Sequence, residues 1–360
     1  MKFIIATQTF APRSGGMQTV MIALAQKFST IGETHVFPNH FIEKNNHIFK
    51  EKFKIHNFFA PKILRSYLKK IFISRIIEKD DIVICDSWKS VSAVPSKANK
   101  IIVLAHGQEY LSYKKKYPII KKSLDRASHI ICSSNYTYNL IDNLNITHTN
   151  KVVLPPTYSL VKIAVNNETN NSKLSDKVQL LSITRLEERK GIIPVLNALA
   201  VLIKNKSLKP FIWNICGSGD LQNKIEKTIK ELNLTNYVNL IGRVDNKDKE
   251  FFLNLSDLFI MPSYKVENSI EGFGISYVEA AGYGIPSIAG EEGGVKDAVL
   301  DNITGWCINP LDKVKLSKVL LEAINNDQKR NKFGLQAKKQ FLDLFLGEKV
   351  FRKFMKTITS

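Results

Sequence analysis

Short apolar runs recur along this chain, each followed by a turn or a helical stretch, and that alternation limits the fold more than any other feature. In the second half the runs fall at residues 178–183, 211–216, 238–241, 258–261 and 285–289, with helical stretches such as 219–232 between them. Strand–helix alternation of this kind implies α/β architecture with a parallel, doubly wound sheet. The first half repeats the scheme at 3–7, 35–38, 82–85, 101–105, 129–132 and 152–154, with a helix over 17–28. Two series in 360 residues predict two domains, because one core rarely grows that large. The expected boundaries are a first domain over 1–165, a linker over 166–176, a second domain over 177–340, and a helix over 341–360 that packs back towards the first domain. The linker centres on the polar tract Asn166 to Ser172. The basic segment 333–354 reads as largely helical.

The hydrophobic share of 44% is ordinary for a soluble protein, but a net charge of +19 is not. Such a surface calls for an anionic partner: membrane lipid, nucleic acid or a phosphorylated substrate. Residues 61–77 read as a basic amphipathic helix. Ile63, Leu64, Tyr67, Leu68, Ile71 and Phe72 recur at helical spacing, and Lys62, Arg65, Lys69, Lys70 and Arg75 occupy much of the remainder. This pattern fits a helix on an anionic membrane surface. It also fits a surface helix with its apolar face in the core and its lysines in water. Lys114 to Lys116, with Lys121 and Lys122, adds a second basic cluster. Cys85, Cys132, Cys216 and Cys307 form no CxxC pair, which argues against zinc and suits buried reduced thiols in a cytoplasmic protein. No run approaches the roughly 20 apolar residues of a spanning helix, and the N-terminal apolar run is too brief for a signal peptide.

The chemistry gathers at the ends of the expected strands. In Glu271-Gly272-Phe273-Gly274, a carboxylate stands beside glycines that let a backbone approach phosphate, just before a helix whose N-terminus favours an anion. Glu279 lies roughly 12 Å further along at the helical rise, and a carboxylate there can accept two hydroxyl hydrogen bonds. The same residues fit a plain strand–loop–helix unit with solvated glutamates. Arg185 and Lys190 flank a charged loop after the first strand of the second series, where they can grip phosphate oxygens or form an ordinary surface turn. Gly217-Ser-Gly219 and Gly242-Arg-Val244 follow the next two strands. In the first half, Gly15-Gly16 follows strand one, Asp86 and Ser87 follow the strand at 82–85, and His106 follows the strand at 101–105.

Taken together, Ser14-Gly15-Gly16, Arg185 with Lys190-Gly191, Gly217-Ser-Gly219, Gly242-Arg-Val244, Glu271-Gly-Phe-Gly with Glu279, Gly293-Gly294 and the run Gly305 to Pro310 resemble the retaining family 4 glycosyltransferases. The match is dense in the second half and loose in the first. The resemblance implies the GT-B fold, two Rossmann-like domains facing an interdomain cleft, with the acceptor on the N-terminal domain and a nucleotide-sugar donor on the C-terminal one. It implies that Arg185 and Lys190 hold the donor diphosphate and that Glu279 holds the ribose. Glu271 would face the transferred sugar, His106 the reacting centre, and Gly15 and Gly16 the diphosphate and acceptor. Gly217, Gly272, Phe273 and Gly274 would line the donor, and Val244 would meet the base through its backbone. The sequence departs from the family where Val295-Lys296-Asp297 replaces the frequent Pro-Glu after Gly-Gly-x.

No Asp-x-Asp occurs, so two fixed cations rather than a metal ion are expected to stabilise the leaving group, with no cofactor. The expected reaction is retaining transfer from a nucleoside-diphosphate sugar, UDP by default, to a hydroxyl of a glycan or lipid-linked acceptor. The setting is bacterial surface-polysaccharide assembly on the inner face of the cytoplasmic membrane, in keeping with a Lys-, Asn- and Ile-rich, AT-biased composition. Two other readings stand beside it: a same-fold epimerase or phosphorylase, and a basic nucleic-acid-binding protein. The latter lacks a recognisable recognition module.

Overall fold

The computed structural model describes residues 1–13, 15–42, 53–111, 116–146, 149–161 and 176–359. Ser14, Lys114, Lys115 and the linker tract 166–172 lie outside them.

The chain forms two compact units, one of residues 1–161 with 346–360 and one of residues 162–345. The first holds β1 (Lys2–Ala6), β2 (Glu33–Phe37), β3 (Lys54–Ile55), β4 (Ile82–Cys85), β5 (Lys100–Ala105), β6 (His129–Cys132) and β7 (Asn150–Val153). They make one sheet in the order β3-β2-β1-β4-β5-β6-β7, with every pair parallel. The second unit holds β8 (Val178–Ile183), β9 (Phe211–Cys216), β10 (Val238–Gly242), β11 (Leu258–Met261), β12 (Ser287–Gly290) and β13 (Gly305–Ile308). Their order is β10-β9-β8-β11-β12-β13, again all parallel. Central strands such as β4 and β11 are buried at every residue, as expected when helices cover both faces of a parallel sheet.

Several elements differ from the sequence expectation. The second strand ends at Phe37, since Pro38 has no N–H for the ladder. The two-residue edge strand β3 was not expected. The last expected strand of the second series begins at Ser287, not at 285. The segment 333–354 is largely helical, as expected, but the helix expected over 341–360 begins only at Gly347. Helix Asp327–Gln340 gives way to a π turn at Phe341–Phe345, and a separate helix runs over Gly347–Thr359. The turn buries Phe341 and Phe345, with the Phe345 ring 5.9 Å from Phe273.

The helix Gly347–Thr359 belongs to the first unit. It buries Val350, Phe354 and Ile358 on one face. Phe351 and Phe354 meet the Phe28 ring at 5.5 and 6.0 Å, and Gly347 N–H donates to the Leu160 carbonyl at 2.7 Å.

The basic helix spans Lys62–Ile76, and only Lys69 and Ile73 are buried in it. Lys69 therefore does not sit on the solvated basic face, because its ammonium reaches under the sheet edge and donates to the Thr7 carbonyl at 3.0 Å. Burial pulls its pKa down to about 8, although the nearby Asp86 carboxylate opposes this. A depressed lysine costs stability while charged, and the cost fades as pH rises from about 8 towards 10.5. Against Lys69→Met, the wild-type melting temperature is expected to gain over that window, by an amount equivalent to roughly 3 kcal/mol. Parallel thermal melts of the two proteins from pH 7 to 10.5 check this, and curves with a constant offset would refute it.

Candidate active site

In the second sheet the strand order reverses between β8 and β11. Loops leaving the carboxyl ends of such neighbours diverge and open a crevice, the usual binding place in a doubly wound sheet. Here those two loops meet through charge. The 3-10 turn Glu188–Lys190 follows β8, and Glu271 follows β11. Glu271 Oε2 accepts from Arg189 Nη1 at 2.7 Å and from Lys190 Nζ. Arg189 Nε also lies 3.1 Å from Glu187 Oε2, and Arg185 Nη1 lies 2.5 Å from Glu187 Oε1. Backbone bonds brace the pairing: Tyr264 N–H donates to the Arg189 carbonyl, and Gly294 N–H to the Glu271 carbonyl, each at 2.9 Å.

Side-chain exposure separates the cations. Arg189 and Lys190 are 6% and 8% exposed, Glu271 15%, and Arg185 65%. Burial alone would raise the Glu271 carboxyl, but the Lys190 ammonium and Arg189 guanidinium outweigh it and hold the pKa down to about 2. Burial lowers the Lys190 pKa, and the Arg189 and Arg185 charges add to the effect while Glu271 opposes it. Among Arg185, Glu187, Arg189, Lys190 and Glu271, three cations face two carboxylates, leaving one positive charge in excess. A site of this kind attracts an anion. A carboxylate held near pKa 2 by two cations is a weak base and a hindered nucleophile, so Glu271 is suited to positioning.

Around this cluster the turns after neighbouring strands fit closely. Gly217 N–H donates to the Gly242 carbonyl at 2.7 Å, and Leu186 N–H to the Ser218 carbonyl at 3.0 Å. Gly217 and Gly219 thus stand where the β8 and β9 loops touch, and Val244 follows β10, partly buried. The helix Ile275–Gly282 begins directly after Gly274. Since Glu271 precedes that helix, the axial spacing expected between the two glutamates does not apply. Glu279 is on the helix, 15% exposed, and its Oε1 lies 2.6 Å from Lys249 Nζ. Phe273 turns its side chain into the core beside Phe345, which leaves only its backbone for a ligand, whereas Gly272 stays partly exposed in the same loop. Gly15 and Gly16 are exposed after β1 in the first unit, and His106 follows β5 there with its Nε2 buried and unpartnered.

Arg189, Glu187 and Lys249 were not foreseen. Arg189 shares the charged turn with Lys190, so its position was visible but its burial was not. Nothing in the sequence marked Lys249. Among the described residues no group of three or more His, Cys, Asp or Glu side chains is arranged to hold a metal ion. A groove of about 1420 Å³ between helices Ile192–Lys204 and Lys313–Asn325 contains none of the candidate site residues.

Residues 166–340 match the family described as "Glycosyl transferases group 1". The amylovoran biosynthesis glycosyltransferase AmsK of Erwinia amylovora is 27% identical over 168 residues, which is 45% of this chain and 41% of that protein. The 2-deoxystreptamine N-acetyl-D-glucosaminyltransferase of Niallia circulans is 24% identical over 83% of this chain and 69% of its own length. The chain thus spans less than half of the first relative. Among solved structures, Anabaena HepE in complex with UDP-glucose superposes with a TM-score of 0.78 at 17% identity, covering 100% of this chain and 99% of that one. The fold is GT-B, with two doubly wound parallel sheets of seven and six strands.

Proposed function

We propose, from the match of residues 166–340 to the glycosyl transferases of group 1, that the chain is a retaining, metal-independent family 4 enzyme that moves a sugar from a nucleoside-diphosphate donor, UDP by default. The acceptor is a hydroxyl of a glycan or lipid-linked saccharide in bacterial surface-polysaccharide assembly. The protein works at the inner face of the cytoplasmic membrane, where its +19 charge favours anionic lipid. Among the described residues no helix is long and apolar enough to cross a membrane.

The observation that carries this reading is the buried Arg189–Glu271–Lys190 cluster at the β8/β11 crevice, with its excess positive charge. Lys190 and Arg185 meet the donor diphosphate. As the bond from the anomeric carbon to the phosphate oxygen breaks, their fixed charge stabilises the leaving group. Glu271 is too weak a base to take the acceptor proton, so the departing phosphate takes it while the acceptor oxygen joins the same face of the sugar. Glu279 accepts the ribose hydroxyls, sharing its carboxylate with Lys249. Gly217, Val244 and the Gly272–Gly274 backbone line the donor. Gly15, Gly16 and His106 serve the acceptor side.

A thermal-shift panel of UDP- and GDP-sugars, with and without EDTA, tests the reading, because a ligand that binds only the native state raises its melting temperature. A shift with one nucleotide sugar, indifferent to EDTA, is expected. Glu279→Ala should weaken that donor about 10- to 100-fold, from the loss of charge-assisted hydrogen bonds worth about 1.5–3 kcal/mol. No shift with any nucleotide sugar would defeat the proposal. Rearrangement of the donor without acceptor would turn it into an epimerase.

A further inference from the structure

The helix Lys62–Ile76 turns its apolar residues outward. Ile63 is 89% exposed, Tyr67 64% and Leu64 51%. Just before it, Phe59 is 86% exposed and its ring lies tilted against that of Phe41, centroids 4.6 Å apart, with Phe41 itself 48% exposed. A soluble surface helix normally buries such a stripe, and a contiguous exposed apolar patch marks a contact surface.

The topology says where this patch lies. The helix links β3 to β4, which run parallel in one sheet, so it must travel back and begin at the sheet's carboxyl edge. The helix Tyr117–Leu124 links β5 to β6 and begins at the same edge, with Ile119 59% exposed. The 3-10 segment Trp88–Ala93 packs against both helices. The loops carrying Gly15, Gly16, Asp86 and His106 leave that edge too. Arg65 ties the patch to it, donating to the Ala60 carbonyl at 2.7 Å and to the Asn39 carbonyl, while Asn39 donates to Gln8 at 2.6 Å.

Charge selects the occupant. Residues 53–77 carry six lysines and arginines and no acid, with only the Lys69 ammonium buried, and residues 116–124 carry three and none. An apolar patch set in cations matches a bilayer with anionic headgroups, where rings and aliphatic chains enter the acyl boundary and cations meet phosphate.

We propose that Phe41, Phe59, Ile63, Leu64, Tyr67 and Ile119 form a lip that inserts into an anionic bilayer beside the carboxyl edge of the first sheet, so that the acceptor reaches the enzyme while still anchored in lipid. This rests on the glycosyltransferase reading given above and fixes its acceptor as lipid-linked.

The test is flotation with vesicles of phosphatidylglycerol and phosphatidylcholine. Wild-type protein should float with the anionic vesicles and far less with pure phosphatidylcholine. F59S/I63S/L64S, which leaves the net charge unchanged, should weaken binding about tenfold or more. These side chains are exposed, so the variant should keep its melting temperature and its donor-induced thermal shift. The donor shift reads the glycosyltransferase reading separately from the lip. In Phe59→Trp, acyl-brominated lipid should quench the new fluorophore against the buried Trp88, Trp213 and Trp306. Unchanged flotation of the triple variant, or absence of quenching, would overturn the proposal. So would a wild-type dimer that the triple variant abolishes, since the patch would then join two copies of the chain.

Discussion

Lys190→Ala should lower kcat/KM by about a thousandfold, equivalent to about 4 kcal/mol of transition-state stabilisation. Lys190 is 8% exposed and shares Glu271 Oε2 with Arg189. In the proposed mechanism its ammonium is fixed before the donor arrives and need not reorganise when charge develops on the leaving phosphate. Removing it also leaves Glu271 with Arg189 alone. The carboxyl pKa should then climb from about 2. A depressed carboxylate adds stability above its ordinary pKa of 4.5, and that contribution is lost as pH falls towards its folded value. In Lys190→Ala that contribution should be smaller and confined to a narrower window below 4.5, so the variant should be less stable than wild type near neutrality and the gap should close as pH falls. The double change Lys190→Ala/Glu271→Ala should recover part of the stability, because no buried carboxylate remains short of a partner, but should not recover turnover. Steady-state kinetics with the competent donor, together with acid titrations of the wild type and both variants, separate the effects. Near-wild-type turnover of Lys190→Ala would remove the residue from the mechanism.

Gly217→Ala should be severely damaging to the second unit. At φ 148°, an added Cβ would sit 1.8 Å from the Thr184 carbonyl oxygen and 2.9 Å from its carbon. Both are backbone atoms, so a side-chain rotation cannot relieve the clash. Thr184 N–H donates to the Cys216 carbonyl at 3.0 Å and directly precedes Arg185, so the loop carrying the cations must shift. Strain and overpacking together should cost about 4 kcal/mol, which lowers the melting temperature by roughly 10 °C for a unit of this size. Gly242→Ala is the control. It also has positive φ, at 85°, but a Cβ there meets nothing within 4 Å, so only the backbone preference is lost, about 1–2 kcal/mol. Equal melting temperatures for the two variants would show that the close approach at Gly217 does not matter.

The sheets were legible because their strands are short, continuous apolar runs with polar or glycine-rich ends. Residues 82–85, 129–132, 178–183, 211–216 and 258–261 fall where the runs stand. The edge strand Lys54–Ile55 was not, since two residues carry no periodicity. The crevice could be foreseen from the order of Arg185, Lys190 and Glu271, but the partition of charge could not. In Glu187-Glu188-Arg189-Lys190 four charged residues look alike on paper, and only folding buries Arg189 and Lys190 while leaving Glu188 in solvent. Lys69 shows the same limit, as helical spacing gave it a basic face and the sheet edge then claimed its ammonium. Spacing also reveals that a helix has an apolar side without saying what that side meets.

The first unit is written in two pieces, with the second unit inserted between residues 161 and 346. On a ribosome, its seven strands emerge long before the helix Gly347–Thr359 that seals Phe28. For the time needed to synthesise everything between, that ring and its neighbours remain open to solvent and to chaperones. The second unit can therefore pack before the first is complete, and the first closes over Phe28 only once residues 347–359 have been made.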